Sequence, residues 1–187
     1  MSLRLAAGLL GALLLSGCVT GTRAPPAQGA AASRPLVAPS AVGDRTVSQV
    51  VRGAVGDRVI TMNCVVSVKG NEMSVVGLNA MGVRLFTMRY DGKSVSAEKS
   101  LGLPEDFRPE WLIADLQFVF WPLTSLVGPL REAGFEISEP APGTRRLRGA
   151  DRLIAEAHYV GNDPWSGRAW LVNLEHGYSL QIDESVE

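Results

Sequence analysis

Cysteine and histidine are scarce in this chain, two of each among 187 residues. Two cysteines exclude the disulfide framework that staples many small secreted domains. The histidines, His158 and His176, stand in no Glu-x-x-His or similar spacing, so no metal site is expected. A Gly-x-Ser-x-Gly elbow, a phosphate loop and a dinucleotide fingerprint are all missing. With no catalytic constellation visible, the chain reads as a non-enzyme without a cofactor. An excess of one charge is lacking too. Eighteen basic residues stand against nineteen acidic ones, so no broad basic field exists to attract nucleic acid. Nor is there an apolar run of about 20 residues that could span a bilayer as a helix.

What is present begins at the first residues. Arg4 is followed by LAAGLLGALLL, an apolar run of 11 residues that suits the core of a secretory leader. The run leads into Leu15-Ser16-Gly17-Cys18, which resembles the bacterial lipoprotein signal, in which the cysteine becomes the acylated first residue of the mature chain. The resemblance implies a signal peptide over 1–17, lipid attachment at Cys18 and a membrane as partner through the acyl groups. Val19 rather than Asp follows the cysteine, and by resemblance to enteric sorting rules this favours the outer membrane, on its periplasmic face. Two or more acyl chains anchor a protein stably where one does not. Losing residues 1–17 removes Arg4 and leaves 17 basic against 19 acidic residues, a net charge of −2.

After Cys18, residues 19–43 hold four Pro, three Gly and seven Ala, with no acidic residue and no apolar period. Such a segment buries too little to offset its chain entropy, so residues 18–43 are expected to be the lipidated cysteine and a flexible tether. Residues 44–187 are the size of one domain.

Within that domain the dominant period is two. Ile60, Met62, Cys64, Val66 and Val68 share one face, and Thr61, Asn63 and Ser67 the other, as in an antiparallel sheet buried on one side. Lys69-Gly70-Asn71 turns into a strand over 72–78, Asn79–Gly82 turns again, and VRLFTMRY returns to the Asp91-Gly92 hairpin signal. Strands resume at 135–138, 145–148, 153–160, 168–174 and 178–183. Between the two sets lies PEWLIADLQFVFWP, bounded by Pro109 and Pro122 and apolar nearly all the way round, followed by a shorter helix near 123–133. The expected class is α+β: a single strongly curved antiparallel sheet, a half-open β-barrel, with helices covering its concave side.

LPEDFRPEWLIADLQFVFWPL, with GVRLFTMRYDGKSVS before it and GYSLQI after it, resembles a group of uncharacterised bacterial lipoproteins. These are often encoded with aryl-polyene or similar lipid-like pigment biosynthesis genes. Their architecture looks like that of the lipoprotein-sorting carrier and receptor, LolA and LolB, a half barrel lidded by helices around an apolar cavity. The resemblance implies fold and setting more than mechanism. Candidate cavity residues are Met62, Cys64, Phe86, Met88, Tyr90, Trp111, Phe118 and Tyr159, with Ile60, Val66, Leu153, Ala155 and Ala157 also facing inward. Met81, on a hairpin tip, corresponds by resemblance to a membrane-proximal loop.

The bland readings stand beside these. The inward residues could fill an ordinary core, and Cys64 reads as a buried, inert thiol. Asp115 is expected to meet Arg84, Arg89 or a backbone N–H, or to point to a wet edge. Arg145, Arg146 and Arg148 suit either lipid phosphates or a solvated strand edge. Two functions remain open: an outer-membrane lipoprotein that binds an apolar or acylated molecule and assists its transfer or insertion, or a non-catalytic assembly lipoprotein that docks a transporter, a periplasmic carrier or a biosynthetic complex and has no cavity.

Overall fold

Alternating side chains and short turns generate two meanders. The computed structural model describes residues 33–99, 108–161 and 163–185; the leader, Cys18 and the chain up to residue 32 lie outside them. The first meander is β1 (Arg45–Val55), β2 (Arg58–Lys69), β3 (Glu72–Leu78), β4 (Arg84–Tyr90) and β5 (Val95–Lys99). Helices α1 (Pro109–Phe120) and α2 (Leu123–Glu132) follow. The second meander is β6 (Phe135–Ala141), β7 (Thr144–Gly149), β8 (Arg152–Tyr159), β9 (Arg168–Asn173) and β10 (Tyr178–Glu184). All ten strands form one antiparallel sheet, in the order β5-β4-β3-β2-β1-β10-β9-β8-β7-β6. The first and last strands of the domain zip the two meanders together, with Val51 opposite Ile182 and Val55 opposite Tyr178. β5 and β6 are the two edges, so the sheet is open.

One face carries the core. Cys64, Gly77 and Phe86 form one inward row across β2, β3 and β4, and Val66, Val75 and Met88 form the next. Gly77 is needed for the first row, because a Cβ there would stand 2.4 Å from the Phe86 ring. Gly92, at φ 86°, makes the turn into β5 beneath the Asn71 side chain.

The sheet curves around α1. A 12-residue helix is about 18 Å long. α1 nevertheless lies beside β5 and offers the carbonyls of its C-terminal end to Arg145 on β7. Laid flat, those two strands would stand eight spacings apart, about 38 Å. A helix that short reaches both only if the sheet wraps it.

Wrapping explains why α1 needs no polar face. Ile113 to Trp121 are all buried, including the two polar residues Asp115 and Gln117. Both find partners on a segment expected to be free tether. Arg34 Nη1 lies 2.6 Å from Asp115 Oδ1, a charge contact whose N–H bonds are not aligned on the oxygen. Gln117 accepts from the Val37 N–H at 2.8 Å and donates to the Val37 carbonyl at 2.7 Å. The Trp121 indole and Tyr90 hydroxyl donate to the carbonyls of Ala38 and Leu36 at 3.4 and 3.3 Å. Pro39 and Val42, in a short 3₁₀ turn, are buried as well. The boundary at residue 43 is therefore corrected: residues 33–43 are a strap on the domain. Composition misleads here because the strap is fixed by the helix's polar groups and not by an apolar period of its own.

The asymmetry of this clamp gives a test. Arg34→Met should cost about 3–5 kcal/mol by leaving a buried carboxylate without its cation, lowering Tm by roughly 10 °C in a domain of this size. Arg34→Met with Asp115→Asn should recover part of that loss. A single variant that melts like the parent in a thermal scan would show that the strap does not hold the helix.

Candidate functional site

Depth along the strands divides the inward residues into two populations. At one end of the sheet, the β1–β2, β3–β4 and β9–β10 turns and the start of α1 surround an opening. Behind it lies a cavity of about 210 Å³. β1 contributes Val55, Gly53, Val51 and Gln49 in order of depth, and β2 contributes Ile60, Met62, Cys64 and Val66. Tyr178, Leu180 and Ile182 of β10 form the opposite wall, and Trp111, Leu112 and Leu116 of α1 cover it. The cavity is apolar because inward positions on these strands carry aliphatic side chains, and roomy because Gly53 and Cys64 are small.

The far end is closed. Trp165, from the β8–β9 loop, stacks on Phe120 with ring centroids 4.5 Å apart, and the Arg45 guanidinium lies over the Trp165 ring, 4.7 Å from its centroid. Trp121 packs beside them. Arg145, buried by the alternation of β7, donates to the carbonyls of Phe118 and Trp121 at 2.7 and 2.8 Å, satisfying groups that a helix C-terminus leaves open. Glu139 pairs with it at 2.6 Å.

Of the sequence candidates, Met62, Cys64, Phe86 and Trp111 come together on the cavity wall, and Ile60 and Val66 with them. Met88, Tyr90, Phe118 and Tyr159 are placed elsewhere, and depth is the reason. Met88 and Tyr90 lie further along β4, in filled core. Phe118 stands two turns beyond Trp111, where Leu126, Leu130 and Leu147 already take up the space. Tyr159 is at the closed end, donating to Glu139 at 3.2 Å. Leu153 is half-buried, and Ala155 and Ala157 are buried against neighbouring strands. Met81 is 83% exposed on the β3–β4 turn, at the open end. Val55, Val59, Val83, Trp111 and Leu174, all exposed, lie at that end too. The basic trio divides by parity: Arg145 points in, Arg146 pairs with Glu156 outside, and Arg148 is exposed.

Sequence reading missed Gln49, the β10 wall and the group behind the mouth. There Asp115 Oδ2 accepts from Asn173 at 2.9 Å and from the Tyr178 hydroxyl. Burial above all, then the Asp115 charge, raises the Tyr178 pKa far above the phenol range. His176 stacks on Trp111 at 3.7 Å, and its burial lowers its pKa below the ordinary imidazole value. Asp115 meets Arg34 and not Arg84 or Arg89, because those two stand exposed on β4 while the strap brings Arg34 to the buried helix. Among the described residues no three His, Cys, Asp or Glu side chains gather as metal ligands. No helix among them is long and apolar enough to cross a membrane, which leaves strand-built spans unaddressed.

Residues 46–186 match a family described as a protein of unknown function, DUF3261, and the chain belongs to that family. No curated protein matches it.

Cys64 reports on the wall directly. Burial pushes its thiol up to about 12, so at pH 8 almost none is thiolate, the reactive form. In a chain of residues 18–187 carrying Cys18→Ser, where Cys64 is the single thiol, reaction with a thiolate-directed disulfide reagent at pH 8 should be orders of magnitude slower in the folded protein than in urea. It should accelerate as pH rises towards 12. Equal folded and unfolded rates would mean the wall is wet.

Proposed function

We propose that this protein is a periplasm-facing, outer-membrane lipoprotein, anchored through Cys18, whose curved sheet is a half-open barrel that takes up an apolar or acylated molecule and assists its transfer or insertion. It works without catalysis or cofactor. The observation that carries this reading is the cavity of about 210 Å³ under α1. Cavities of about 150 Å³ with aliphatic and aromatic walls stay dry and bind small apolar molecules. The exposed apolar residues at the open end support a mouth that works against a lipid surface or an acylated partner, with Met81 at the tip of one turn. The reach of one short helix from β5 to β7 supports the half barrel.

The test separates cavity from core. Ile60 is half-buried at the mouth, so Ile60→Trp should block the cavity with little loss of Tm and at least a tenfold loss of affinity for an apolar fluorescent probe. Phe118, 2% exposed in packed core, should behave in the opposite way: Phe118→Ala should cost about 3–5 kcal/mol while the folded fraction still binds. A parent that binds no probe, or Ile60→Trp binding as well as the parent, would leave the docking alternative, an assembly lipoprotein recruiting a transporter or biosynthetic complex.

The anchor has its own test. Cys18→Ala should abolish palmitate labelling in the host and remove the protein from outer-membrane fractions. Continued labelling with unchanged fractionation would disprove acylation at Cys18.

A further inference from the structure

The deep end of the cavity holds a buried amide oxygen with no hydrogen-bond partner. Gln49 is 3% exposed and lines the cavity, and its Oε1 has no hydrogen-bond partner. It lies six residues down β1 from Val55 at the mouth, about 20 Å along the strand. Its cross-strand neighbours are Cys64 on β2 and Glu184 on β10, whose carboxylate accepts from the Gly167 N–H, and the cavity wall around it continues as Val51, Val66 and Val75. A buried acceptor left unpaired is destabilising. Water is a poor remedy here, since a stably buried water needs two to four polar partners and the cavity lining beside Gln49 is apolar: Val51, Cys64, Val66, Val75 and Ile182. Gly53 and Leu180 keep the way from the mouth to Gln49 apolar as well.

We propose that Gln49 sets ligand specificity: the cavity accepts a single slender apolar chain whose leading end carries a hydroxyl, and that hydroxyl donates to Gln49 Oε1. The inference rests on the carrier reading and goes beyond it by naming the ligand's class and orientation. The volume, about 210 Å³, suits one chain and not the paired chains of a diacyl lipid. At the mouth, Arg108, His176 and Tyr178 are the polar side chains on the lining. The trailing end of the ligand is therefore polar, and anionic groups suit Arg108. A site built around a buried hydrogen bond discriminates strongly against the analogue that lacks it, because the site's own group is then left unpaired.

The experiment uses the full mature chain carrying Cys18→Ser, which needs no detergent, and reads displacement of an apolar fluorescent probe. The competitors are ω-hydroxy fatty acids and the unsubstituted fatty acids of the same lengths, taken through a chain-length series. At the length that reaches Gln49, the hydroxylated acid should bind about tenfold tighter than its unsubstituted partner. Gln49→Leu should abolish or reverse that preference. Its Tm should hold or rise, since an unpaired buried acceptor has been removed, and a purely structural role for Gln49 predicts a fall. Equal binding of the two acids at every length, or a preference that survives in Gln49→Leu, overturns the inference. The parent's discrimination decides the matter even if the variant does not fold. Should neither acid displace the probe, the carrier reading falls together with this one; unsubstituted acids that bind with no gain from the hydroxyl overturn this one alone.

Discussion

Asp115 sits in the middle of α1 with no exposed surface, and much of the structure follows from supplying that carboxylate with partners. A buried charge is tolerated only when paired and hydrogen-bonded. The cation comes from Arg34, ahead of the first strand, and the donors come from Asn173 and Tyr178, at the end of β9 and the start of β10. One side chain therefore ties the strap, the helix and the second meander together. Asn173 extends the tie, because its Oδ1 accepts the His176 N–H at 2.9 Å and so fixes the β9–β10 turn at the mouth. The polar interactions position the helix, and the apolar ones around it supply the burial.

The same arrangement makes a helix without a polar face soluble inside its own domain. α1 meets the sheet on one side and the strap on another, and Phe118 meets α2. Its backbone ends differ. The C-terminal carbonyls are held by the Arg145 guanidinium, whereas the N-terminal end has an exposed Arg108 in extended conformation and no side-chain cap. The helix is fastened at its closed end and lightly held at the open one.

Strand parity was legible in the sequence and strand depth was not. The alternation of Ile60, Met62, Cys64, Val66 and Val68 identified the inward face of β2, and Asp91-Gly92 located the turn into β5. Parity cannot say that Phe86 borders open space while Met88, two residues on, is packed. That distinction depends on how far α1 and the Trp165 loop reach over the sheet, a property of three segments distant in sequence. The strap was illegible for a related reason. Its Ala- and Pro-rich composition lacks an apolar period, and its place is set by backbone groups at Val37 and Ala38 meeting Gln117 and Trp121, which no residue-type pattern records. Asp115 was visible as an anomaly in an apolar helix. Its partner was not, since Arg34 lies 81 positions upstream in a stretch that reads as linker.

An open apolar space is costly to maintain. At about 24 cal/mol per Å³, a void of about 210 Å³ forgoes at most about 5 kcal/mol relative to a filled core, less where the mouth admits solvent. Larger side chains at Gly53 or Cys64 are a short route to recovering it, as cavity filling commonly stabilises proteins. The chain instead concentrates its rigid contacts away from that space. The Arg34, Gln117 and Arg145 clamps all grip the middle and the C-terminal end of α1, and the aromatic plug closes the far end. Among the described residues the first turn of α1 is held by packing and not by a polar clamp: Trp111 stacks on His176 and half-buried Leu112 joins the core. Local opening draws on the least stabilised contacts of a fold. The part of the helix that bounds the cavity mouth is thus the part with the fewest polar ties, while the clamps grip the rest of α1.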